Sequence, residues 1–278
     1  MVKIFFTFLL FFSFSFSQEI VEENILTTKI KALVDKSVYE QNKPYIDIIF
    51  SNDFDYYIGD RIDVVKVIQT LKDNGLLNLF FEKPKEFILT FKTNGSPLFF
   101  MKIMGDTLGN IGYYRYVTKE SNFDNSEFIW TISLISEYAT DPLILQKELQ
   151  KSGCNIVDIQ RNSSTKWTYD IDMRDGHLNV KSLQSGGEVK LKTSLYAHWL
   201  NISTIKKLRI LSTIRNNWYP YIAYYDSSLH LLKVIKKDRK TRRITLKMPS
   251  SANYIKISDI YTLKNIKDTL ILNPIGNR

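Results

Sequence analysis

Residues 87–112 read FILTFKTNGSPLFFMKIMGDTLGNIG, and the class of fold follows from them. Phe87–Thr93 reads as a strand. Ser96-Pro97 then sets a capping residue before a proline at the first helical position, where the missing N–H costs nothing because it would have had no partner. Leu98, Phe99, Met101, Ile103, Met104, Leu108 and Ile111 make the following helix apolar enough to be deeply buried. Gly105 and Gly109 weaken it, and Gly112 closes it. The same punctuation recurs at Asp141-Pro142, with Leu143, Ile144, Leu145 and Leu149 in the helix and Gly153 at its end.

Each helix is followed by a pair of strands. Tyr113–Lys119 and Phe128–Glu137 flank a polar turn at Ser121–Ser126; Asn155–Arg161 and Lys166–Met173 flank Asn162-Ser163-Ser164. Upstream, Leu76–Phe81 and Phe87–Thr93 predict a hairpin around Lys83-Pro84-Lys85. Before it, Asp60 reads as the N-cap of a helix with Ile62, Val64, Val65, Val67, Ile68 and Leu71 on its apolar face and Gly75 at its end. Leu26–Asp35 and Tyr45–Phe50 read as strands by alternation, with a turn at Gln41-Asn42-Lys43-Pro44. The closing glycines Gly75, Gly112 and Gly153 thus mark a helix–hairpin unit repeated three times, similar in punctuation and low in residue identity.

From Glu86 to Arg161 the order is strand, helix, strand, strand, helix, strand, the ferredoxin-like order with helices on one face of an antiparallel sheet. Peptidoglycan-binding SPOR-type domains share this order, and the stretch is similar to them in that respect alone.

After Gly176 no helix pattern remains. Short alternating segments recur at Val189–Thr193, Lys207–Ile214, Tyr219–Tyr225, Leu229–Lys236, Arg242–Met248, Tyr254–Ser258 and Thr269–Leu272, with turn signals between them. This spacing predicts an all-β sandwich or jelly roll. Leu208-Arg209-Ile210, Trp218-Tyr219-Pro220-Tyr221, Ile244–Pro249 and Tyr254–Asp259 carry a weak resemblance to galactose-binding-like jelly roll domains over Lys207–Asp259. That resemblance implies a non-catalytic binding module, often for glycans; the chain departs from sugar-binding relatives in showing no clear calcium loop. The expected organisation is therefore 1–17 signal peptide, 18–176 α+β domain and 177–278 β-sandwich domain.

The leader expectation rests on Lys3, the apolar run Ile4–Phe12 broken only by Thr7, and the small residues of Ser13–Ser17, with cleavage before Gln18. The address it implies is the periplasm, which the Lys, Ile, Asn and Phe richness of an AT-rich bacterial genome also suggests. No later stretch reaches the ~18 uninterrupted apolar residues of a membrane span. With Cys154 the only cysteine, no internal disulfide forms, and a single cysteine at a strand start reads as a small buried hydrophobe. Apolar residues make up 44% of the chain, enough for a packed core, so wholesale disorder is excluded.

Charge is segregated. Residues 177–278 carry 19 Lys and Arg against 5 Asp and Glu, a net of +14, whereas residues 1–176 carry 19 against 24, a net of −5. A reversal of this size implies two surfaces with separate partners. In the envelope the basic half would meet anionic lipid headgroups or polymers, and little nucleic acid.

Two clusters are the candidate ligand-binding residues. Trp218, Tyr219, Tyr221 and Tyr225, with Tyr224 beside them, crowd one strand entry, and flat aromatic faces stack on sugar rings. Alternation puts Tyr219, Tyr221 and Tyr225 on one face and Ile222 and Tyr224 on the other, so one set belongs to the core. Lys236, Lys237, Arg239, Lys240, Arg242 and Arg243, with Lys233, surround a predicted hairpin tip at Asp238, where they serve either an anionic surface or protection against edge-to-edge aggregation. No metal is expected. Asp53, Asp55 and Asp60 fail the EF-hand pattern because Ile58 stands where glycine is needed. No cofactor and no catalytic residue is expected either: His177, His198 and His230 lack ligand spacing, no hydrolase or phosphate-loop motif occurs, and the strand pair Asp170 and Asp172 is too common a pattern to signal a glycosidase.

These residues point to a non-enzymatic periplasmic binding or scaffold protein. Its basic sandwich engages an anionic envelope polymer, glycan or membrane surface, and its acidic N-terminal part meets a protein partner. The alternatives are an envelope glycan hydrolase with a targeting sandwich, or a structural subunit of an envelope complex.

Overall fold

A computed structural model describes residues 24–124 and 126–278; the expected leader and its cleavage point lie outside the described residues. The chain opens with two helices, α1 (Ile25–Leu33) and α2 (Lys36–Ile49), where two strands were expected. Leu26, Ile30 and Leu33 are the buried residues of α1, and their spacing of four and three is helical. Alternation over so short a segment misled because Thr27, Lys29 and Lys31 separate apolar residues in either period. Pro44 lies inside α2, so it marks no turn. Its cost is the hydrogen bond that its absent N–H would have given Glu40.

A short ribbon, β1 (Tyr57–Ile58) and β2 (Arg61–Ile62), turns at Gly59 with φ +61°. Asp60 sits in that turn. The cap of α3 (Val64–Asp73) is Asp63, whose Oδ1 accepts from the Lys66 N–H at 3.2 Å. Gly75 ends α3 as expected, at φ +68°, and lets the Leu76 N–H reach the Leu71 carbonyl at 2.8 Å.

The predicted hairpin around Pro84 is one long strand, β3 (Phe80–Thr93). Pairing jumps from Phe80↔Tyr138 to Lys85↔Ser136, so Pro84 falls in a bulge where no ladder N–H is required. The helix–hairpin repeat consequently holds for its second and third units and fails for the first. Next come α4 (Pro97–Asn110), β4 (Val117–Asp124), β5 (Glu127–Tyr138), α5 (Pro142–Gln150), β6 (Asn155–Ser163) and β7 (Lys166–Asp172). Both proline-initiated helices and their closing glycines stand where the sequence put them.

The five strands run in the order β4-β5-β3-β7-β6. β4, β5 and β3 follow the expected split pattern, but β7 is inserted between β3 and β6 and pairs with β3 in parallel. One sheet face carries Phe87, Leu89, Phe91, Trp130, Trp167 and Tyr169 into a core closed by α3, α4 and α5. The other face is polar and partly open; Thr90 and Thr131 hydrogen bond across it at 3.0 Å.

The second half is built of strands: β8 (Val189–Leu191), β9 (His198–Asn201), β10 (Ile205–Ser212), β11 (Pro220–Tyr225), β12 (Leu231–Lys236), β13 (Arg243–Lys247), β14 (Tyr254–Asp259) and β15 (Leu270–Asn277). They form two antiparallel four-stranded sheets, β13-β10-β15-β8 and β12-β11-β14-β9, and most of the buried apolar residues of both share one hydrophobic cluster. The molecule is therefore α+β first and β-rich second.

The two halves are joined by more than the chain. Leu178, Leu229 and Tyr254 belong to the first half's apolar cluster. Ser96, at the N-cap position of α4, leaves the helix uncapped and donates its hydroxyl to the Ser228 carbonyl at 3.1 Å. Next to it Leu229 is held at φ +63°, a strained conformation for a branched side chain, with its side chain buried against the first half. Among the described residues no helix is long and apolar enough to cross a membrane.

Candidate functional site

Alternation along β11 works as expected. Ile222 and Tyr224 point inward and are fully buried, while Tyr221 and Tyr225 face outward and are partly exposed. Burial pushes the Tyr224 phenol well up, and its hydroxyl has no hydrogen-bond partner. Each outward ring already has a neighbour. Lys236, directly across from Tyr221 on β12, lies over its ring at 5.3 Å; Tyr225 packs on Trp199 at 4.9 Å; Tyr219 meets Tyr261 edge-on at 5.2 Å. Asp259 anchors this end, accepting from the backbone N–H groups of Tyr219, Tyr261 and Thr262 and from the Asn265 amide.

Trp218 is no part of an exposed platform. It has no accessible surface and fills the second half's core, with its indole N–H satisfied by the Ser258 carbonyl at 2.8 Å. A large ring with a single polar atom is well suited to the core once that atom finds a partner.

The basic segment also departs from expectation. β12 and β13 do not pair; the chain between them crosses from the edge of one sheet to the edge of the other, so Asp238 is no hairpin tip. Asp238 accepts from the Tyr261 hydroxyl. Lys237 ties its backbone N–H to the Pro220 carbonyl at 3.0 Å. Arg242 spends its guanidinium on the Thr213 and Asn216 carbonyls, which makes it a clamp on the 213–216 loop. Lys236, Arg239, Lys240 and Arg243 remain on the surface.

What the sequence reading missed is where this segment leads. In β10, Lys207 and Arg209 alternate with the buried Leu208 and Ile210; in β13, Arg243 and Lys247 alternate with the buried Ile244 and Leu246. Lys207 stands directly opposite Lys247, Arg209 opposite Thr245, and Leu211 opposite Arg243. The outer face of this sheet edge thus continues the 236–243 crossover as one basic band. Like charges directly across a ladder are destabilising. No carboxylate relieves them: among the described residues of 177–278 the ion pairs are Lys190–Glu188 and His230–Asp226. The period-two alternation was legible in the sequence; the Lys207↔Lys247 register was not.

A cleft of about 650 Å³ beside the open sheet face of the first half is lined by Lys92, Glu127, Asp170, Asp172 and Arg174, among others. Asp170 and Asp172 share a strand face, as expected. Burial raises the Asp170 carboxyl above the usual aspartate range against the pull of Lys92, and Asp158 and Glu127 add to the rise. One of its oxygens is buried without a partner. Cys154 is fully buried just before β6; burial and the charge of Asp172 push its thiol up to about 11, which leaves it protonated and unreactive at neutral pH. Asp53 and Asp55 are held by the Asn24 and Asn52 amides. Among the described residues no three His, Cys, Asp or Glu are grouped to hold a metal ion.

Compared with protein-family models, with curated proteins and with solved structures, the chain matches none.

Proposed function

We propose that this chain is a non-enzymatic binding protein of the cell envelope, exported by its N-terminal leader, whose basic half engages an anionic polymer or membrane surface. In this reading the two β-sheets form a sandwich of jelly-roll, galactose-binding-like type beginning near residue 177, and the acidic α+β part is left to a protein partner. The band Lys236, Arg239, Lys240, Arg243, Lys247, Lys207 and Arg209, none of which has an ion-pair partner among the described residues, carries the proposal. Evolution tolerates an in-register lysine pair on a sheet face at a cost, and an anionic surface would reverse the sign of that cost. Each basic residue close to such a surface contributes about 1 kcal/mol.

Residues 18–278 should co-sediment with peptidoglycan or with vesicles containing anionic lipid at low salt, and lose that association as salt screens the charges. Lys207→Glu with Lys247→Glu should abolish it. Association that ignores both salt and these substitutions, or none at all, refutes the proposal. Mass spectrometry of the protein from the envelope fraction checks removal of residues 1–17. The raised carboxyl of Asp170 beside Glu127 favours one second reading, an envelope glycan hydrolase. Glycan turnover by the wild type that Asp170→Asn eliminates would replace the first reading with it.

A further inference from the structure

The halves meet along a second cleft, of about 730 Å³, distinct from the basic band. Its volume lies in the range of small-molecule sites, about 300–1,000 Å³, and such sites favour the junctions between folded units. One wall is α4 and the segment after it, contributing Lys102, Asn110, Tyr113, Tyr114 and Tyr116; the other is β9 and its approaches, contributing Asn179, Lys181, Tyr196, His198 and Trp199. Tyr114 and Tyr196, one from each half, are 78% and 77% exposed, far more than stable packing would leave them.

Three details set this cleft apart from a crease. Gly105 and Gly109 sit one turn apart on α4 and both line it. Among the described residues, a methyl group at either would meet nothing closer than Tyr116 Oη at 3.9 Å or Tyr114 Cε1 at 4.0 Å, so the glycines leave room that no described side chain uses. His198 Nε2 is buried and has no hydrogen-bond partner. Trp199 is held between Tyr225 and the ammonium groups of Lys102 and Lys256, at 4.9, 5.5 and 5.6 Å.

We infer that this cleft binds an oligosaccharide between the two halves of the molecule. A sugar ring offers apolar C–H faces and a rim of hydroxyls. Tyr114 and Tyr196 provide flat amphipathic surfaces for the faces; Asn110, Asn179 and Lys181 provide polar partners for the rim. A purely apolar ligand would leave these groups unpaired, which disfavours it. This site does not depend on the basic band, and its probes are soluble.

The protein carries its own reporter. Of its four tryptophans, Trp130, Trp167 and Trp218 are buried, so Trp199 alone can sense an arriving ligand. Titration of residues 18–278 with chitotetraose and with tetragalacturonate should give a saturable change in tryptophan emission for at least one of them. Trp199→Phe should remove the signal, and Tyr114→Ala or Tyr196→Ala should weaken binding about tenfold each. Phe54→Ala, on an exposed residue far along the chain, should leave it unchanged. Gly105→Ala with Gly109→Ala separates binding from folding, because it should raise Tm while lowering affinity about tenfold or more. Saturable emission change with neither sugar, or a raised Tm with undiminished affinity, overturns the inference.

Discussion

Arg161 shows how much a single side chain can hold. Its stem is almost wholly buried, its guanidinium donates to the Leu33 carbonyl at the end of α1 and to both oxygens of Asp35 at 2.9 Å, and its plane lies over Trp167 at 5.7 Å. A cation at a helix C-terminus complements the helix dipole. Because Asp35 is half exposed, solvent screens part of that pair. Arg161→Ala should cost about 2 kcal/mol, chiefly from the charge-assisted hydrogen bonds, measurable as a lowered urea midpoint with unchanged slope. Asp170 makes the opposite case. Its folded pKa is raised, so in the interval above the ordinary aspartate value the folded chain keeps a proton that the unfolded chain has released, and stability falls as pH rises through that interval. Asp170→Asn should therefore stabilise the protein at neutral pH and flatten this part of the profile. Carboxyls with lowered pKa values, such as Glu86 hydrogen-bonded by Ser133 and beside Lys119, act the other way: their stabilisation is lost as pH falls. Urea unfolding of wild type and variant from pH 4 to 7 separates the two contributions.

Among the elements, those with punctuation at both ends were readable and those without were not. α4 and α5 begin at a proline and end at a glycine in a left-handed conformation, local chemistry that needs no knowledge of neighbours. The helices α1 and α2 have weaker signals. Asn24 caps α1 by accepting from the Leu26 N–H at 3.0 Å, yet a proline inside α2 argues locally for a turn. Burial of Tyr39 and Ile46 on one face of α2 outweighs that preference. In β3, Pro84 likewise suggested a break, and the bulge absorbed it. The two glycines of α4 are affordable only because Phe100, Ile103, Met104 and Leu108 bury the other side of the helix. Replacing each by alanine should stabilise the protein by about 1 kcal/mol, read as a rise in Tm by calorimetry.

The whole molecule depends on how its two halves are latched. Leu229 accepts a strained backbone to fill the first half's core, and Leu178 and Tyr254 are buried in that same core. Leu229→Ala keeps the strain and loses the burial, so it should cost about 2 kcal/mol and broaden or split a single unfolding transition monitored by circular dichroism. Residue order alone made several things legible: the α+β then β-rich succession, the proline-started and glycine-ended helices α4 and α5, the two faces of β11, and the opposite net charges of the two halves. Each of these is local, since caps, alternation and charge are properties of neighbours along the chain. Residue order could not reveal that Trp218 is core, that the lysines of two separate strands face one another, that β7 intrudes beside β3, or that α4 and β9 enclose a cleft. Those facts rest on contacts between residues tens of positions apart, where register and packing of distant surfaces choose among arrangements that local chemistry leaves equally open.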